Sequence, residues 1–249
     1  QGIPLRECFC TRDDIMNALI ASGVEASMAF KTMEAVRKGR GLTPQMEEAM
    51  KASSGPAWYI ETCKKIKYMF PKAHAVAYVT MALRIAYFKV FYPAAYYCCY
   101  LHRNAESFDA TRMCTEDVEA LRGMIEDIKA LDKSERTATK DDEMTILEIL
   151  IEMNLRGVHI KPIDIYKSRA AEFFIDDDGE IVPPINSLPG IGQAAAEGFV
   201  AAREAGPFVS QDDMVRRKVN KSMVEQLRLA GCLNGIPETS QVTLFEFAM

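Results

Sequence analysis

The sequence predicts a mainly α-helical protein with one short β-hairpin near residues 171–182. Apolar residues recur every three or four positions along most of the chain, which is the period of an amphipathic helix. Residues that start and end helices stand at the edges of these segments, such as Thr43-Pro44 and Gly231. Hydrophobic residues make up 49% of the 249 residues, so the chain has enough apolar material for a packed core.

Caps and breakers divide the first 105 residues into six predicted helices. Thr11 precedes the first helix as its N-cap, and Gly23 ends it. Thr43-Pro44 places an N-cap before a proline at the first helical position, where a missing N–H costs nothing. Pro93 interrupts the longest apolar segment. The predicted helices cover residues 12–21, 25–40, 44–53, 56–68, 72–91 and 94–104.

The composition changes from residue 106 onward. Residues 106–180 contain twenty Asp or Glu against ten Lys or Arg, and two amphipathic helices fit there, with residues 132–142 as a polar linker between them. Two β-type runs flank the acidic segment 176–179, a pattern that predicts a hairpin. The predicted helices from here to the end cover residues 116–131, 143–156, 193–205, 210–217 and 221–230.

Cysteine spacing and hydropathy exclude several classes of protein. The chain has seven cysteines and no C-x-x-C pair, so we predict reduced thiols and no metal site. No segment reaches the roughly 20 apolar residues of a membrane-spanning helix, and the start of the chain has no signal peptide. We therefore expect a cytoplasmic protein with no membrane partner. Because the first residue is Gln1 rather than Met, we also expect a piece of a longer polypeptide.

A glycine-containing turn, SLPGIGQAA at residues 187–195, precedes the first of the late helices. Gly190 and Gly192 permit a left-handed backbone and let a phosphate approach closely. The N–H groups at the start of the next helix suit an anion. The turn resembles the hairpin of a helix-hairpin-helix module, which holds DNA by its phosphates and does not recognise sequence. The alternative is a plain helix turn that needs glycine for its geometry.

A second hairpin of this kind would fall at residues 219–223. This segment has neither glycine, so we leave open whether it contacts phosphate or only supports the fold. The DNA-binding candidates from the two segments are Pro189, Gly190, Ile191, Gly192, Gln193, Lys221 and Ser222.

Basic, aromatic and small residues alternate between residues 64 and 89. The net charge is −5, yet between Glu61 and Arg103 seven basic residues accompany one acidic residue, and such a local excess attracts polyanions. Lys, His and Arg suit a triphosphate, while Tyr provides a surface on which a base can stack. The alternative is a buried amphipathic helix whose lysines extend to solvent. The nucleotide-binding candidates are Lys72, His74, Tyr78, Arg84 and Lys89, with Lys64, Lys65 and Lys67 as further candidates.

The string FPKAHAVAY at residues 70–78, with the helix that follows it, resembles the fingers of bacterial replicative DNA polymerase III alpha subunits. The fuller string is similar to the PolC type rather than the DnaE type. Further motifs at residues 12–44 and 183–192 occur in the family's order, so the resemblance covers essentially the whole chain. It implies fingers at residues 1–105, a connecting helical region at 106–180, a tandem helix-hairpin-helix domain for duplex DNA at 181–235, and a tail at 236–249.

The same resemblance implies template-directed DNA synthesis from dNTPs. The implied partners are primer-template DNA, the incoming dNTP, the sliding clamp (beta subunit) and the rest of the polymerase chain, including palm and thumb. Mg²⁺ would serve the whole enzyme, held by palm aspartates outside this chain. We therefore expect this fragment to have no catalytic residues, to bind no cofactor and to be inactive alone.

The tail QVTLF resembles the pentapeptide by which bacterial polymerases bind the sliding clamp, although Val242 stands where Leu is usual. Leu244 and Phe245 would fill an apolar pocket, and Gln241 would form hydrogen bonds at its rim. Packing of the tail on its own domain is the alternative. For the chain as a whole, the alternatives are a helix-hairpin-helix protein of DNA repair or recombination, and a non-enzymatic adaptor for DNA or protein.

Overall fold

The computed structural model describes residues 2–4 and 7–240. The chain divides into two compact units, Gln1–Ala86 and Tyr87–Met249, and the division falls within one long helix. The described residues form twelve α-helices and one two-stranded sheet, so the predicted fold class is confirmed. The helices of the first unit are α1 Arg12–Ala21, α2 Ala26–Arg37, α3 Pro44–Ala52, α4 Trp58–Lys65 and α5 Lys72–Phe91, the last of which extends beyond the unit.

Side-chain caps start the first three helices. Thr11 and Asp14 form a capping box at α1, and Thr43 accepts a hydrogen bond from the Met46 backbone at the start of α3. Glu25 was predicted to lie inside the second helix but is its N-cap. The apolar faces of these helices pack with α4 in one core, which includes Ile15, Leu19, Met33, Val36, Met50, Tyr59 and Cys63.

The segment that leads into α5 is held against the start of α1 and the end of α2. The Met69 N–H donates to the Arg37 carbonyl at 3.1 Å, and the Arg12 N–H donates to the Phe70 carbonyl at 3.0 Å. Gly39 has a φ of 67°, and a Cβ at this position would lie 2.3 Å from the carbonyl oxygen of Lys67. This contact requires glycine, and it explains why α2 ends at Arg37 rather than at the predicted residue 40.

The second unit contains the remaining helices around a second core. Its centre is the pair α8 and α9, whose buried residues include Leu121, Ile125, Leu147 and Leu150, and the same core continues to Phe199 and Leu227. The division into four parts at residues 105, 180 and 235 stays a prediction. The helices are α6 Pro93–Arg103, α7 Ala110–Met113, α8 Val118–Ala130, α9 Ala138–Leu155, α10 Gln193–Glu204, α11 Gln211–Arg216 and α12 Lys221–Leu229.

The predicted hairpin is present as two short antiparallel strands, β1 Phe174–Ile175 and β2 Ile181–Val182. Gly179 has a φ of 83° in the turn between them. One predicted boundary in this unit is wrong, and one helix was missed. The helix expected from residue 143 begins at Ala138, because Thr137 in the supposed linker accepts a hydrogen bond from the Lys140 N–H. The short helix α7 was not predicted at all.

None of the described helices combines the length and the apolar character that a membrane crossing requires.

Candidate nucleic-acid interface

The first hairpin lies between a 3₁₀ turn at Ile185–Ser187 and helix α10. Ile191 at its centre is buried, whereas Pro189, Gly190 and Gly192 are exposed. Gly190 has a φ of 77°, and Gly192 is the N-cap of α10. The buried side chain holds the turn on the core while its backbone faces solvent.

The exposed backbone of this hairpin carries several unused donors. Within the described part of the chain, no acceptor contacts the N–H groups of Gly190, Gly192, Gln193 and Ala194. No side chain caps α10, whereas Thr11, Asp117 and Ser210 cap other helices. Free N–H groups at a helix start, together with the helix dipole, form a binding site for an anion such as a phosphate.

Gly192 has no internal reason to be glycine. Its φ of −76° is open to any residue, and no atom lies within 4 Å of the place where its Cβ would stand. Gly190 differs because its positive φ disfavours other residues. The lack of a side chain at Gly192 therefore leaves the helix start open to something outside the chain.

An open groove of about 650 Å³ borders this hairpin. Two basic residues, Arg112 and Lys140, line it together with the hairpin, but both are paired with the nearly buried carboxylate of Glu143. The N···O distances are 3.0 Å from Arg112 and 2.5 Å from Lys140. Both cations of the groove are thus engaged by one carboxylate of the chain, whereas the backbone donors of the hairpin have no partner among the described residues.

The second hairpin connects α11 to α12 and is built differently. Lys218 has a φ of 70°, Val219 is buried, and Asn220 is the N-cap of α12. The Asn220 side chain accepts hydrogen bonds from the Ser222 N–H at 3.0 Å and from the Ser222 hydroxyl at 3.1 Å. The candidate Ser222 is thus used by the cap, and the candidate Lys221 is exposed.

The nucleotide-binding candidates near the start of α5 lie in an aromatic row. The His74 ring stacks on Phe70, with centroids 4.9 Å apart, and contacts Tyr78 on its other side at 4.2 Å. The Lys72 N–H donates to Asp13 at 2.6 Å, and the Lys72 ammonium lies 3.6 Å from Asp14. Burial raises the pKa of Asp14, but hydrogen bonds from Thr11 and the charge of Lys72 outweigh it, and the net shift is downward.

The other basic candidates are spread along the chain. Arg84 and Lys89 stand about 18 and 25 Å beyond Lys72 along the axis of α5. Lys89 forms an ion pair with Glu152 at 2.8 Å, and this bond raises the pKa of Lys89. Lys64 pairs with Glu47 and Glu61 at 3.0 and 3.2 Å, which raises its pKa in the same way. Lys65 and Lys67 are exposed.

Helix α5 has no buried residue within the described chain, although it is apolar on every side. Its exposed large side chains include Val76, Tyr78, Leu83, Ile85, Phe88 and Phe91. A helix that is apolar all round is typical of the interior of a larger protein. Within the described part of the chain α5 is therefore exposed, and it does not have the buried face that the alternative of an amphipathic helix predicted.

Acidic residues are adjacent in the sequence at 13–14, 141–142, 176–178 and 212–213, but their surroundings do not fit a two-metal centre. In the described part of the chain, one group of three acids could reach a common ion: Asp176, Asp178 and Glu180. The ammonium of Lys161 lies among them, at 2.5, 2.6 and 3.1 Å. At least one acid of each other pair is also engaged: Asp13 accepts from the Lys72 N–H, Asp14 pairs with the Lys72 ammonium, Asp141 pairs with Arg136, and Asp213 pairs with Arg217.

Residues 157–242 match a family described as helix-hairpin-helix motif. The match contains both hairpins, so the presence of this motif is confirmed. The sequence prediction found Gly190 and Gly192 through their spacing. It missed Lys218, which could have been found by aligning residues 218–221 with residues 190–193.

Several proteins named DNA polymerase III PolC-type match nearly the whole chain. The protein of Listeria welshimeri is 50% identical over 236 residues, which are 94% of this chain and 16% of the relative. Those of Bacillus subtilis and Thermotoga maritima are 49% and 47% identical, each over 97% of this chain and 17% of the relative. This chain is similar to one segment of PolC-type DNA polymerase III.

The PolC-type resemblance found in the motifs is thereby confirmed. The chain spans about one sixth of the length of these PolC-type relatives. The match covers 97% of this chain, so α5 and the two hairpins all lie in the part that is similar to the PolC-type relatives.

Proposed function

We propose that this chain is the C-terminal part of a bacterial replicative DNA polymerase, and that its hairpin region holds duplex DNA by the backbone phosphates. Synthesis from dNTPs would take place on the whole polymerase, with the palm and thumb supplied by the rest of the polypeptide. The PolC-type relatives and the helix-hairpin-helix match support this proposal. They favour it over a DNA repair protein or a protein adaptor.

One observation carries the DNA-binding proposal. Gly192 leaves the N-terminus of α10 open, although neither its backbone conformation nor its packing requires glycine. Its own N–H and those of Gly190, Gln193 and Ala194 have no acceptor among the described residues. A DNA phosphate has the charge and the acceptor oxygens to satisfy these groups, and contacts of this kind do not depend on base sequence.

The first unit would bind the incoming dNTP, with α5 as the central element. Arg84 has no carboxylate within ion-pair distance among the described residues, and this cation supports the role together with the aromatic row from Phe70 to Tyr78 and the exposed apolar surface of the helix. Palm and thumb residues of the full-length chain would cover that surface. Mg²⁺ would be held in the palm; among the described residues, the three acids that could share an ion already surround the ammonium of Lys161.

The tail would bind the sliding clamp through Gln241, Val242, Leu244 and Phe245. These residues lie outside the described part of the chain, so the proposal rests on their sequence. A flexible link to the clamp would raise the local concentration of polymerase at the primer end.

The test of DNA binding is a Gly192→Asn variant of this chain, titrated with a labelled duplex and followed by fluorescence anisotropy. Asn at this position would cap α10 as Asn220 caps α12, so stability should rise by a few tenths of a kcal/mol. The new side chain would occupy the anion site, and duplex affinity should fall about tenfold or more. Gly123→Ala, in the interior of α8 and outside residues 157–242, is the control: it should stabilise the protein and leave affinity unchanged.

Equal duplex affinity of the wild type and Gly192→Asn would contradict the proposed phosphate site. No affinity of the wild type for duplex DNA would reject DNA binding by this region altogether and favour the protein adaptor.

A further inference from the structure

The two hairpins share features that recur at one fixed sequence separation, which is the separation between residues 190 and 218. Gly190 and Lys218 both have a left-handed backbone, and each stands two residues before the N-cap of the next helix. The pattern of burial follows the same offset into the helices. The matching buried pairs are Ile191 and Val219, Ala196 and Val224, and Phe199 and Leu227.

Lys218 occupies the place of a glycine. Among the described residues it is the one non-glycine with a positive φ, a conformation that costs a lysine free energy and costs glycine almost nothing. The buried Val219 and the hydrogen bond from its N–H to the Met214 carbonyl, at 3.0 Å, hold the turn in this conformation. The turn geometry would be retained, at lower cost, if residue 218 were glycine.

The charge at this turn is not neutralised by the described part of the chain. Two nearby arginines are paired with carboxylates, Arg217 with Asp213 at 2.7 Å and Arg228 with Glu225 at 2.6 Å, and Arg216 donates to the Ser240 hydroxyl at 3.2 Å. Lys218 and Lys221 are both exposed and have no carboxylate within ion-pair distance among the described residues. Two free ammonium groups therefore flank the second turn, at the positions that Gly190 and Gln193 hold in the first.

The second hairpin also has fewer free backbone donors at its helix start, because the Asn220 side chain accepts the Ser222 N–H. We propose that the second hairpin binds a DNA phosphate through the Lys218 side chain, where the first hairpin uses its backbone N–H groups. This assignment rests on the proposed function of the hairpin region. A glycine-to-lysine exchange would keep the position of the contact while the donor changes from the main chain to an ammonium group.

The experiment compares Lys218→Gly and Lys218→Arg in this chain, with duplex affinity measured by anisotropy at several salt concentrations. Lys218→Gly removes the charge and relieves the left-handed backbone, so the thermal midpoint should be unchanged or higher. Its affinity should nevertheless fall, and the slope of log affinity against log salt should become shallower by about 0.9, the effect of one lost phosphate contact. Lys218→Arg should keep the wild-type slope. Lys133→Gly, which removes the same charge from the exposed loop before α9, is the control and should keep it too.

An unchanged affinity and slope for Lys218→Gly, in a chain whose wild type binds duplex DNA, would overturn the Lys218 assignment and leave the first hairpin's role intact. Failure of the wild type to bind would instead reject the proposed function. The two failures are therefore distinguishable in one set of titrations.

Discussion

Gly190 and Lys218 have nearly the same backbone conformation, with φ values of 77° and 70°, at matching points of two successive hairpins. Each is followed by a buried aliphatic residue and then by the N-cap of a helix. The hairpin geometry is thus repeated, while the chemical group that it presents changes from bare backbone to a lysine side chain.

Gly39→Ala should destabilise the first unit strongly. Alanine would have to keep a φ of 67° and place its Cβ against the Lys67 carbonyl, so strain and overpacking add to about 2–4 kcal/mol. The control is Gly41→Ala, which has a φ of 73° but open space at its Cβ and should cost only about 1–2 kcal/mol. Urea unfolding followed by the fluorescence of Trp58, the single tryptophan, measures both. Equal losses for the two variants would contradict the close contact between Gly39 and Lys67.

Lys161→Met should lower the thermal midpoint of the second unit at neutral pH. The hydrogen bond from Lys161 is the main cause of the lowered pKa of Asp176, so their pairing stabilises the fold above the ordinary Asp pKa. That contribution is lost as the pH falls through the lowered pKa, and the difference between variant and wild type should shrink in acid. Lys167→Met, at an exposed lysine outside the cluster, is the control. A deficit that stays constant between neutral and strongly acidic pH would show that the three carboxylates do not depend on Lys161.

A combined Lys72→Ala and Arg84→Ala change, made in the full-length polymerase, should raise the KM for dNTP or lower kcat. Both side chains are exposed cations on α5, and loss of a charge-assisted contact to a phosphate costs about 1.5–3 kcal/mol. Steady-state primer extension measures both constants. The matched control is Lys31→Ala with Lys51→Ala, which removes two exposed lysines from α2 and α3. Unaltered kinetic constants in the α5 variant would favour a protein-binding role for the first unit.

A combined Leu244→Ala and Phe245→Ala change should abolish clamp binding and spare extension of short primed templates. The two side chains would supply the apolar contacts of the pentapeptide, whereas Phe247 lies beyond it. Phe247→Ala is therefore the control and should bind the clamp normally. Calorimetry with the purified clamp measures the affinity. Normal clamp binding by the double variant would mean that the tail has another partner or packs on its own domain.

Helix boundaries were predicted best where a residue such as proline marks the start or the end of a helix. Helix α5 begins at Lys72 and ends at Phe91 as expected, because Pro71 and Pro93 bound it. The start of α9 was missed because Thr137 lies in a polar run whose composition is also typical of a linker. The periodicity of α5 could not show that its apolar side chains are exposed, since periodicity does not reveal what packs against a helix.

The parts of the candidate site that depend on contacts between distant residues could not be predicted from the sequence. The ammonium of Lys161 fills the acidic cluster of the β-hairpin turn, and nothing in the local sequence around either group indicates this pairing. The glycines at positions 190 and 192 identified the first hairpin in the sequence. The second hairpin has Lys218 and Asn220 at the matching positions, so it does not show the glycine pattern. The two hairpins resemble each other in backbone conformation and in their buried positions, which only the structure shows.

The central claim is that this chain binds duplex DNA through phosphates, without recognition of sequence. The most direct measurement is the affinity of the wild-type chain for two duplexes of equal length and unrelated sequence, across a series of salt concentrations. We expect nearly equal affinities and a linear fall of log affinity with log salt, with a slope of about 0.9 for each phosphate contact. Absence of binding to both duplexes, or a strong preference for one that persists at high salt, would contradict the account.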